Sequence, residues 1–121
     1  MKRKIVVVDD EQHILNLVKM TLQDDFEVHG ALSGEEALDV IRKHKPSLVL
    51  LDVMMPQMDG YDTMRVMKRD EAMKSIPIIF LTAKGEWSDK MKALSLGGSA
   101  DYITKPFDPE DLLRRAKSVF G

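Results

Sequence analysis

Short apolar runs alternate along the chain with segments whose apolar residues recur at helical spacing. Three of the runs consist almost entirely of β-branched residues and leucine, which is typical of strands covered on both faces of a parallel sheet. The other two runs are weaker and are predicted to be edge strands. The five predicted strands are Ile5–Val8, Phe26–Ala31, Leu48–Leu51, Ile78–Leu81 and Ala100–Thr104.

A helical segment follows each predicted strand. Ser33 and Glu36 have the spacing of a capping box, and Asp108 followed by Pro109 predicts the start of the last helix. The apolar stripes of the five predicted helices fall within Ile14–Leu22, Ala37–Ile41, Met64–Met67, Ser88–Leu96 and Leu112–Val119.

The alternation of strands and helices predicts an α/β fold of the flavodoxin-like (βα)5 type. Its sheet would be parallel, doubly wound and five-stranded, in the order 2-1-3-4-5, with helices on both faces. A chain of 121 residues is long enough for one compact domain and short for two, so residues 1–121 are predicted to form a single domain. No second domain is expected after Gly121.

Composition and charge narrow the possible functions. The net charge is −2 and the basic residues are scattered, which argues against direct binding of nucleic acid. The chain has no cysteine, so disulfides and thiolate metal sites are excluded. A span of the membrane needs about 20 consecutive apolar residues, and no run approaches that length. A cytoplasmic protein without membrane contact is therefore predicted.

Chemically active side chains stand where the predicted strands end. In an open parallel sheet, ligands bind beyond the carboxyl ends of the strands, near the point where strand order reverses. The first and third strands are neighbours there, so their terminal carboxylates should converge on one cleft. The strand-end residues are Asp9, Asp10, Asp52, Thr82, Ala83 and Lys105.

Three converging carboxylates indicate a site for a divalent cation. They would repel one another and hold protons unless a cation were present, and magnesium prefers such oxygen ligands. Asp52 ends the central strand alone and is the best candidate for a carboxylate nucleophile towards phosphorus. The adjacent Asp9 and Asp10 are better suited to holding the metal.

The other strand-end residues suit the oxygens of a phosphoryl group. Lys105 would place a compact positive charge on one oxygen, Thr82 would donate a hydroxyl hydrogen bond to another, and Ala83 would leave room beside the backbone. Each residue alone has an ordinary explanation, since aspartates also cap helices and lysines are usually solvated. Their joint placement at strand ends favours a common site.

Four motifs resemble those of the bacterial response-regulator receiver domain. The resemblance runs through the whole chain in the same order, with one departure at Gly98–Asp101, where the family commonly reads Gly-Ala-Asp-Asp. The matching segments are Val8–Glu11, Leu51–Gly60, Leu81–Ala83 and Tyr102–Phe107.

The resemblance implies a two-component signalling switch. Asp52 would receive a phosphoryl group from a sensor histidine kinase or a histidine phosphotransfer protein. Magnesium would bind through Asp10, Asp52 and the backbone carbonyl of Met54, with Asp9 assisting.

The resemblance also implies how the switch is read. Thr82 and Tyr102 match the coupled switch pair of the family, and the bond between Lys105 and Pro106 matches its cis proline. A downstream protein would bind the face made by the fourth predicted helix, the fifth strand and the fifth predicted helix.

Three alternatives remain open beside the phosphoacceptor switch. A phosphohydrolase with an aspartate nucleophile would be an enzyme, but the haloacid-dehalogenase type has a second aspartate two residues on, where this chain has Met54. A flavodoxin-like cofactor binder would need a glycine-rich phosphate loop after strand one, where Asp9 and Asp10 stand. A receiver-like adaptor that signals without phosphate would not need the acidic set. We therefore predict a signalling protein and not an enzyme.

The histidines are predicted to have no part in this chemistry. His13, His29 and His44 lie outside the strand-end cleft and lack a metal-ligand spacing in the sequence. They are interpreted as surface or partly buried residues.

Overall fold

The structure is a computed structural model that describes residues 2–83 and 101–121. The described elements, in chain order, are β1 (Arg3–Val8), α1 (Gln12–Leu22), β2 (Phe26–Ala31), α2 (Gly34–His44), β3 (Leu48–Asp52), α3 (Gly60–Arg69), β4 (Ile78–Ala83), β5 (Asp101–Lys105) and α4 (Pro109–Ser118). The helix predicted over Ser88–Leu96 lies outside the described residues.

The five strands form one parallel sheet in the order β2-β1-β3-β4-β5. The predicted strand order and the flavodoxin-like fold class are confirmed. β2 and β5 are the edge strands, as their weaker apolar character predicted. β1 and β3 are neighbours, with Val8 beside Leu51, so the chain that follows each of them leaves the sheet at the same edge.

The core is divided between the two faces of the sheet. Successive strand residues point to opposite faces, so Val6 and Leu51 pack with α2 and α3, while Val7 and Leu50 pack with α1 and α4. All four side chains are fully buried. Burial on both faces is the reason why the central strands are continuously apolar instead of alternating.

The helix starts follow the polar signals in the sequence. The Ser33 hydroxyl accepts a hydrogen bond from the Glu36 amide at 3.1 Å, which confirms the predicted start of α2. The Glu36 carboxylate accepts a weaker bond, at 3.4 Å, from the amide of Leu32, one residue before the expected partner. Asp108 is the N-cap residue of α4, but among the described residues its side chain accepts no capping hydrogen bond.

Three strands run one or two residues further than the apolar pattern indicated. β3 includes Asp52, β4 includes Thr82 and Ala83, and β5 includes Lys105. The sheet ladder continues because Asp52 pairs with Leu81 and the Val53 amide donates to the Leu81 carbonyl at 3.1 Å. Asp52, Thr82, Ala83 and Lys105 are thus held within the strands of the sheet.

Candidate functional site

Three carboxylates converge at the carboxyl ends of β1 and β3, as the strand order predicted. Asp9, Asp10 and Asp52 each offer an oxygen atom, and these atoms lie within 4.8 Å of one another. Asp9 is fully buried and Asp52 is 4% exposed, whereas Asp10 faces solvent. The pocket therefore has a buried wall and one carboxylate at its mouth.

Backbone contacts fix the position of Asp9. Its amide donates to the carbonyl of Ala31 at 3.1 Å, and one oxygen of its carboxylate accepts from the amide of Glu11 at 3.0 Å. The second contact turns the chain from β1 towards α1. Neither Asp9 nor Asp10 caps α1, because the N-cap residue is Glu11 and, within the part of the chain that the structure describes, no side chain caps the helix there. The Asp9 carboxylate holds the turn before the helix and lines the pocket.

Lys105 extends from the end of β5 into the acidic pocket. Its Nζ atom donates to Oδ2 of Asp9 at 2.6 Å and lies 3.4 Å from Oδ1 of Asp52. The peptide bond from Lys105 to Pro106 is cis, as the resemblance implied. Among the described residues, Lys105 is the cation that forms ion pairs with these two buried carboxylates. The structure thus confirms the convergence, with Lys105 closer to Asp9 than to Asp52.

The charges in the pocket do not balance. Burial, followed by the charge of Asp9, raises the pKa of Asp52 to about 7, although Lys105 acts in the opposite direction. Burial alone would lower the pKa of Lys105, but its hydrogen bond to Asp9 and the charge of Asp52 outweigh it and raise that pKa. A pocket with one ammonium group and three carboxylates retains excess negative charge. Such an all-oxygen site fits a small hard cation.

Thr82 and Ala83 complete the edge of the pocket from β4. Thr82 is 1% exposed and lies one position beyond Leu81, the partner of Asp52 in the sheet register. Ala83 is exposed and pairs with Lys105 across to β5. The sheet therefore places both residues at the same strand ends as the three aspartates.

Tyr102 and Met54 lie away from the buried wall of the pocket. Tyr102 pairs with Phe80 in the sheet, two residues before Thr82, and it is 36% exposed. Met54 lies in the loop after β3, with its side chain 60% exposed. Its position, two residues after Asp52, is compatible with a carbonyl ligand.

Gly60 has a role that the sequence pattern alone did not reveal. Its amide donates to the Val53 carbonyl at 2.9 Å, and a Cβ atom on Gly60 would lie 2.4 Å from the carbonyl oxygen of Asp52. The start of α3 therefore packs directly against the backbone of Asp52, the candidate acceptor. An Asp-Gly pair at a helix start was visible in the sequence, but the close approach depends on tertiary packing.

The interpretation of the histidines was incomplete. The rings of His29 and His44 stack with their centroids 3.6 Å apart, and Nε2 of His29 lies 2.7 Å from Oε2 of Glu27. The three residues form a second cluster of side chains that can bind a metal. The pair Glu27 and His29 shows the two-residue spacing of one strand face, but His44 is brought close only by the packing of α2 on β2.

The fold and pocket place the chain in the class of doubly wound α/β proteins with an acidic strand-end site. The family model described as the response regulator receiver domain matches residues 5–117, and the chain belongs to this family. The family establishes a signalling role for the domain within two-component systems.

Known proteins similar to the chain agree with this assignment. A probable transcriptional regulator, ycf27, of Porphyra purpurea is 45% identical over 119 residues, covering 98% of this chain and 47% of the relative. The alkaline phosphatase synthesis transcriptional regulatory protein PhoP of Bacillus subtilis is 42% identical, covering 98% of this chain and 49% of the relative. The chain thus spans about half the length of the curated relatives it matches.

A solved structure shows the same fold over nearly its whole length. The chemotaxis protein CheY4 of Vibrio cholerae superposes with a TM-score of 0.90 at 33% identity, covering 98% of this chain and 99% of the other. Within residues 2–83 and 101–121, no helix combines the length and the apolar character needed to cross a bilayer.

Asp52 is expected to destabilise the metal-free protein at every pH at which its carboxyl group is ionised. Its pKa is about 7 in the fold against an ordinary value of 3.8, so the folded state binds this proton more tightly and loses that advantage as the pH rises through 7. Asp52→Asn should therefore add roughly 1 to 3 kcal/mol to the unfolding free energy above that pH. Urea unfolding in the presence of a chelator measures the difference.

Two comparisons test the electrostatic origin of this gain. The gain should shrink as the pH falls from 7 through 3.8, because below 3.8 Asp52 is mostly protonated in both states. Asp10→Asn, which removes an exposed carboxylate from the same pocket, should give a smaller gain. A variant at position 52 that is no more stable than the wild type above neutral pH would contradict the prediction.

Proposed function

We propose that the chain is a phosphoacceptor switch in which Asp52 receives the phosphoryl group. The observation that carries the proposal is the convergence of a buried Asp52 with Lys105 at 3.4 Å and with the carboxylates of Asp9 and Asp10. Membership of the receiver-domain family supports it. A histidine kinase or a histidine phosphotransfer protein would be the donor.

The proposed reaction is a simple displacement at phosphorus. An oxygen of the ionised Asp52 carboxylate forms a bond to phosphorus, while the bond from phosphorus to the donor's leaving group breaks and its electrons depart with that group. The Lys105 ammonium would compensate charge on a phosphoryl oxygen, and the Thr82 hydroxyl would donate a hydrogen bond to another. Ala83 would leave space for the group beside the end of β4.

The pocket also suggests how its carboxylates would share a magnesium ion. Both oxygens of Asp9 already accept hydrogen bonds, one from the Glu11 amide and one from Lys105. Asp10 and Asp52 are therefore the better direct ligands, together with the carbonyl of Met54, while Asp9 would act mainly by orienting Lys105. Bound magnesium would neutralise negative charge on the pocket and on the transferring group.

The side chain two positions after Asp52 supports storage of the phosphoryl group instead of rapid turnover. A phosphohydrolase of the haloacid-dehalogenase type would need an acid at the position of Met54, which has no ionisable group. Water that attacks the phosphorylated Asp52 would find no carboxylate at this position to accept its proton. We therefore propose a persistent signal and not the processing of an external substrate.

The proposed readout passes along β5 to α4. The Arg115 guanidinium donates to the Asp101 carboxylate at 2.6 Å and to the Tyr102 carbonyl at 2.8 Å, and so ties α4 to the first residues of β5. A shift of Thr82 towards a phosphoryl group would displace the neighbouring β5 and, through β5, α4. We propose that a downstream protein binds this face, together with the helix predicted over Ser88–Leu96.

The boundaries and surroundings of the domain remain predictions. A single domain over residues 1–121, a cytoplasmic location and the absence of direct nucleic-acid contacts by these residues are proposed from composition and pattern. The longer relatives are named as transcriptional regulators, and that activity is a property of those proteins.

Acetyl phosphate is the donor that tests the proposal without a known kinase. Incubation with acetyl phosphate and magnesium should add one phosphoryl group by intact mass, and hydroxylamine should remove it because an acyl phosphate is reactive towards nucleophiles. Asp52→Asn should abolish the adduct, and a chelator should prevent it. The matched control is Asp39→Asn, whose side chain is 85% exposed on α2.

Each result in this experiment has a defined meaning. The control variant should incorporate phosphate as the wild type does. An unmodified wild type, or an undiminished adduct on Asp52→Asn, would refute Asp52 as the acceptor. Loss of the adduct in both variants would show that the effect is not specific to the pocket.

A further inference from the structure

A second group of metal-binding side chains lies at the opposite end of the sheet from the acidic pocket. Glu27 and His29 are two residues apart on β2, so their side chains emerge on the same face. His44 is the last residue of α2, which packs on that face. The carboxylate and the two imidazoles offer ligand atoms within 4.8 Å of one another.

We propose that Glu27, His29 and His44 form a binding site for a divalent transition-metal ion such as Zn²⁺. Two imidazoles and one carboxylate are a ligand set that suits zinc, nickel or copper, whereas magnesium prefers oxygen ligands alone. The proposed site is therefore chemically distinct from the acidic pocket. It is independent of the phosphoacceptor function and can be present or absent without affecting that proposal.

The observed contacts show that the three side chains are already close. Oε2 of Glu27 lies 2.7 Å from Nε2 of His29, and the rings of His29 and His44 are stacked at 3.6 Å with an angle of 15° between their planes. The backbone ladder fixes Glu27 beside Lys4 and His29 beside Val6, so two of the ligands are attached to a rigid strand. The fold therefore already holds these ligands near one another, and little conformational entropy is lost when a metal binds.

A modest side-chain rotation would complete the site. Tetrahedral zinc with bonds of about 2.1 Å places its ligand atoms about 3.4 Å apart and lies in the plane of each imidazole. The stacked rings must therefore turn out of their parallel arrangement. The side chain of His29 is 27% exposed and His44 is partly exposed, which leaves room for this movement. Three protein ligands would leave a fourth position for water.

Lys4 and Lys43 are neighbouring positive charges that oppose a metal ion, and Lys4 is the one that forms an ion pair with Glu27. Its Nζ atom lies 4.0 Å from Oε2 of Glu27 and its side chain is 43% exposed, so it can swing into solvent when a dication binds. Removing this positive charge should strengthen metal binding. An increase in metal affinity on removal of the Lys4 charge would distinguish a metal site from two histidines that only stack on each other.

The experiment is a Zn²⁺ titration of the full chain by isothermal titration calorimetry in a large excess of Mg²⁺, which occupies the oxygen-ligand pocket. We expect one Zn²⁺ ion per chain. His29→Gln and His44→Gln should each weaken binding by about tenfold or more, and Lys4→Gln should tighten it. The matched control is His13→Gln, because His13 also has a carboxylate neighbour, Glu11 at 3.7 Å, but lies on α1 with its side chain 74% exposed. That variant should bind as the wild type does.

The outcomes decide the proposal. Unchanged Zn²⁺ affinity in His29→Gln and His44→Gln, or an equal loss in His13→Gln, would overturn it. Should either histidine variant lose its circular dichroism spectrum, Glu27→Gln provides the same test while leaving both imidazoles in place. In the wild type, Zn²⁺ should shift the imidazole NMR resonances of His29 and His44 and leave those of His13 unchanged; the reverse pattern would also overturn the proposal.

Discussion

Lys105→Met is expected to remove about 3 kcal/mol of unfolding free energy from the metal-free protein above neutral pH. The ammonium group is the ion-pair partner of Asp9 and Asp52 among the described residues, and these carboxylates are 0% and 4% exposed. Methionine keeps most of the volume of the lysine stem but leaves two buried negative charges without compensation. Urea unfolding in the presence of a chelator measures the loss.

Magnesium should reverse much of this loss and thereby identify its cause. A dication bound by the same carboxylates replaces the missing charge, so the variant should regain stability with added Mg²⁺ and bind Mg²⁺ more tightly than the wild type. Lys117→Met is the control, because its ion pair with Asp25 at 3.3 Å is largely exposed and should be worth at most about 1 kcal/mol. Equal losses in the two variants, or a loss that Mg²⁺ does not reduce, would contradict the electrostatic account.

Gly60→Ala is expected to cost about 2 to 3 kcal/mol of stability and to reduce phosphoryl transfer to Asp52. The new methyl group would stand 2.4 Å from the Asp52 carbonyl oxygen and 2.9 Å from the Cα atom of Val53. Both contacts are with backbone, so α3 or the end of β3 must move. Either movement displaces the acceptor carboxylate from Lys105. Thermal unfolding and the rate of modification by acetyl phosphate report the two effects.

Gly30→Ala is the matched glycine variant. A Cβ atom there would meet the flexible side chain of Leu15 at 3.2 Å, which can yield by a few tenths of an ångström. We expect this change to alter stability by less than about 1 kcal/mol and to leave modification unaffected. Comparable losses at the two glycines would show that the close approach at Gly60 has no special importance.

The sequence predicted the sheet well because burial on both faces leaves an unambiguous pattern. The runs that became β1, β3 and β4 are continuously apolar, and their polar end residues marked where the pocket would lie. The strand order then placed Asp9 and Asp52 together. The edge strands β2 and β5 were recognised as weaker, which is also their position in the sheet.

The sequence pattern could not predict the pairings inside the pocket. Lys105 was assigned to a phosphoryl oxygen, and the structure shows that its nearer carboxylate partner is Asp9, at 2.6 Å. Which carboxylate lies nearer to Lys105 depends on the register between β1, β3 and β5, and an apolar pattern does not encode that register. The stacking of His29 on His44 escaped prediction for the same reason, because it joins a strand to the far end of a helix.

The contact between Asp9 and Lys105 joins residues 96 positions apart. During synthesis, Asp9 and Asp52 at the ends of β1 and β3 are added to the chain long before Lys105. A ribosome-bound chain that lacks β5 would therefore hold its acidic residues without their cation. The charge of the acidic pocket is therefore compensated by Lys105 only once β5 has been made and has paired with β4.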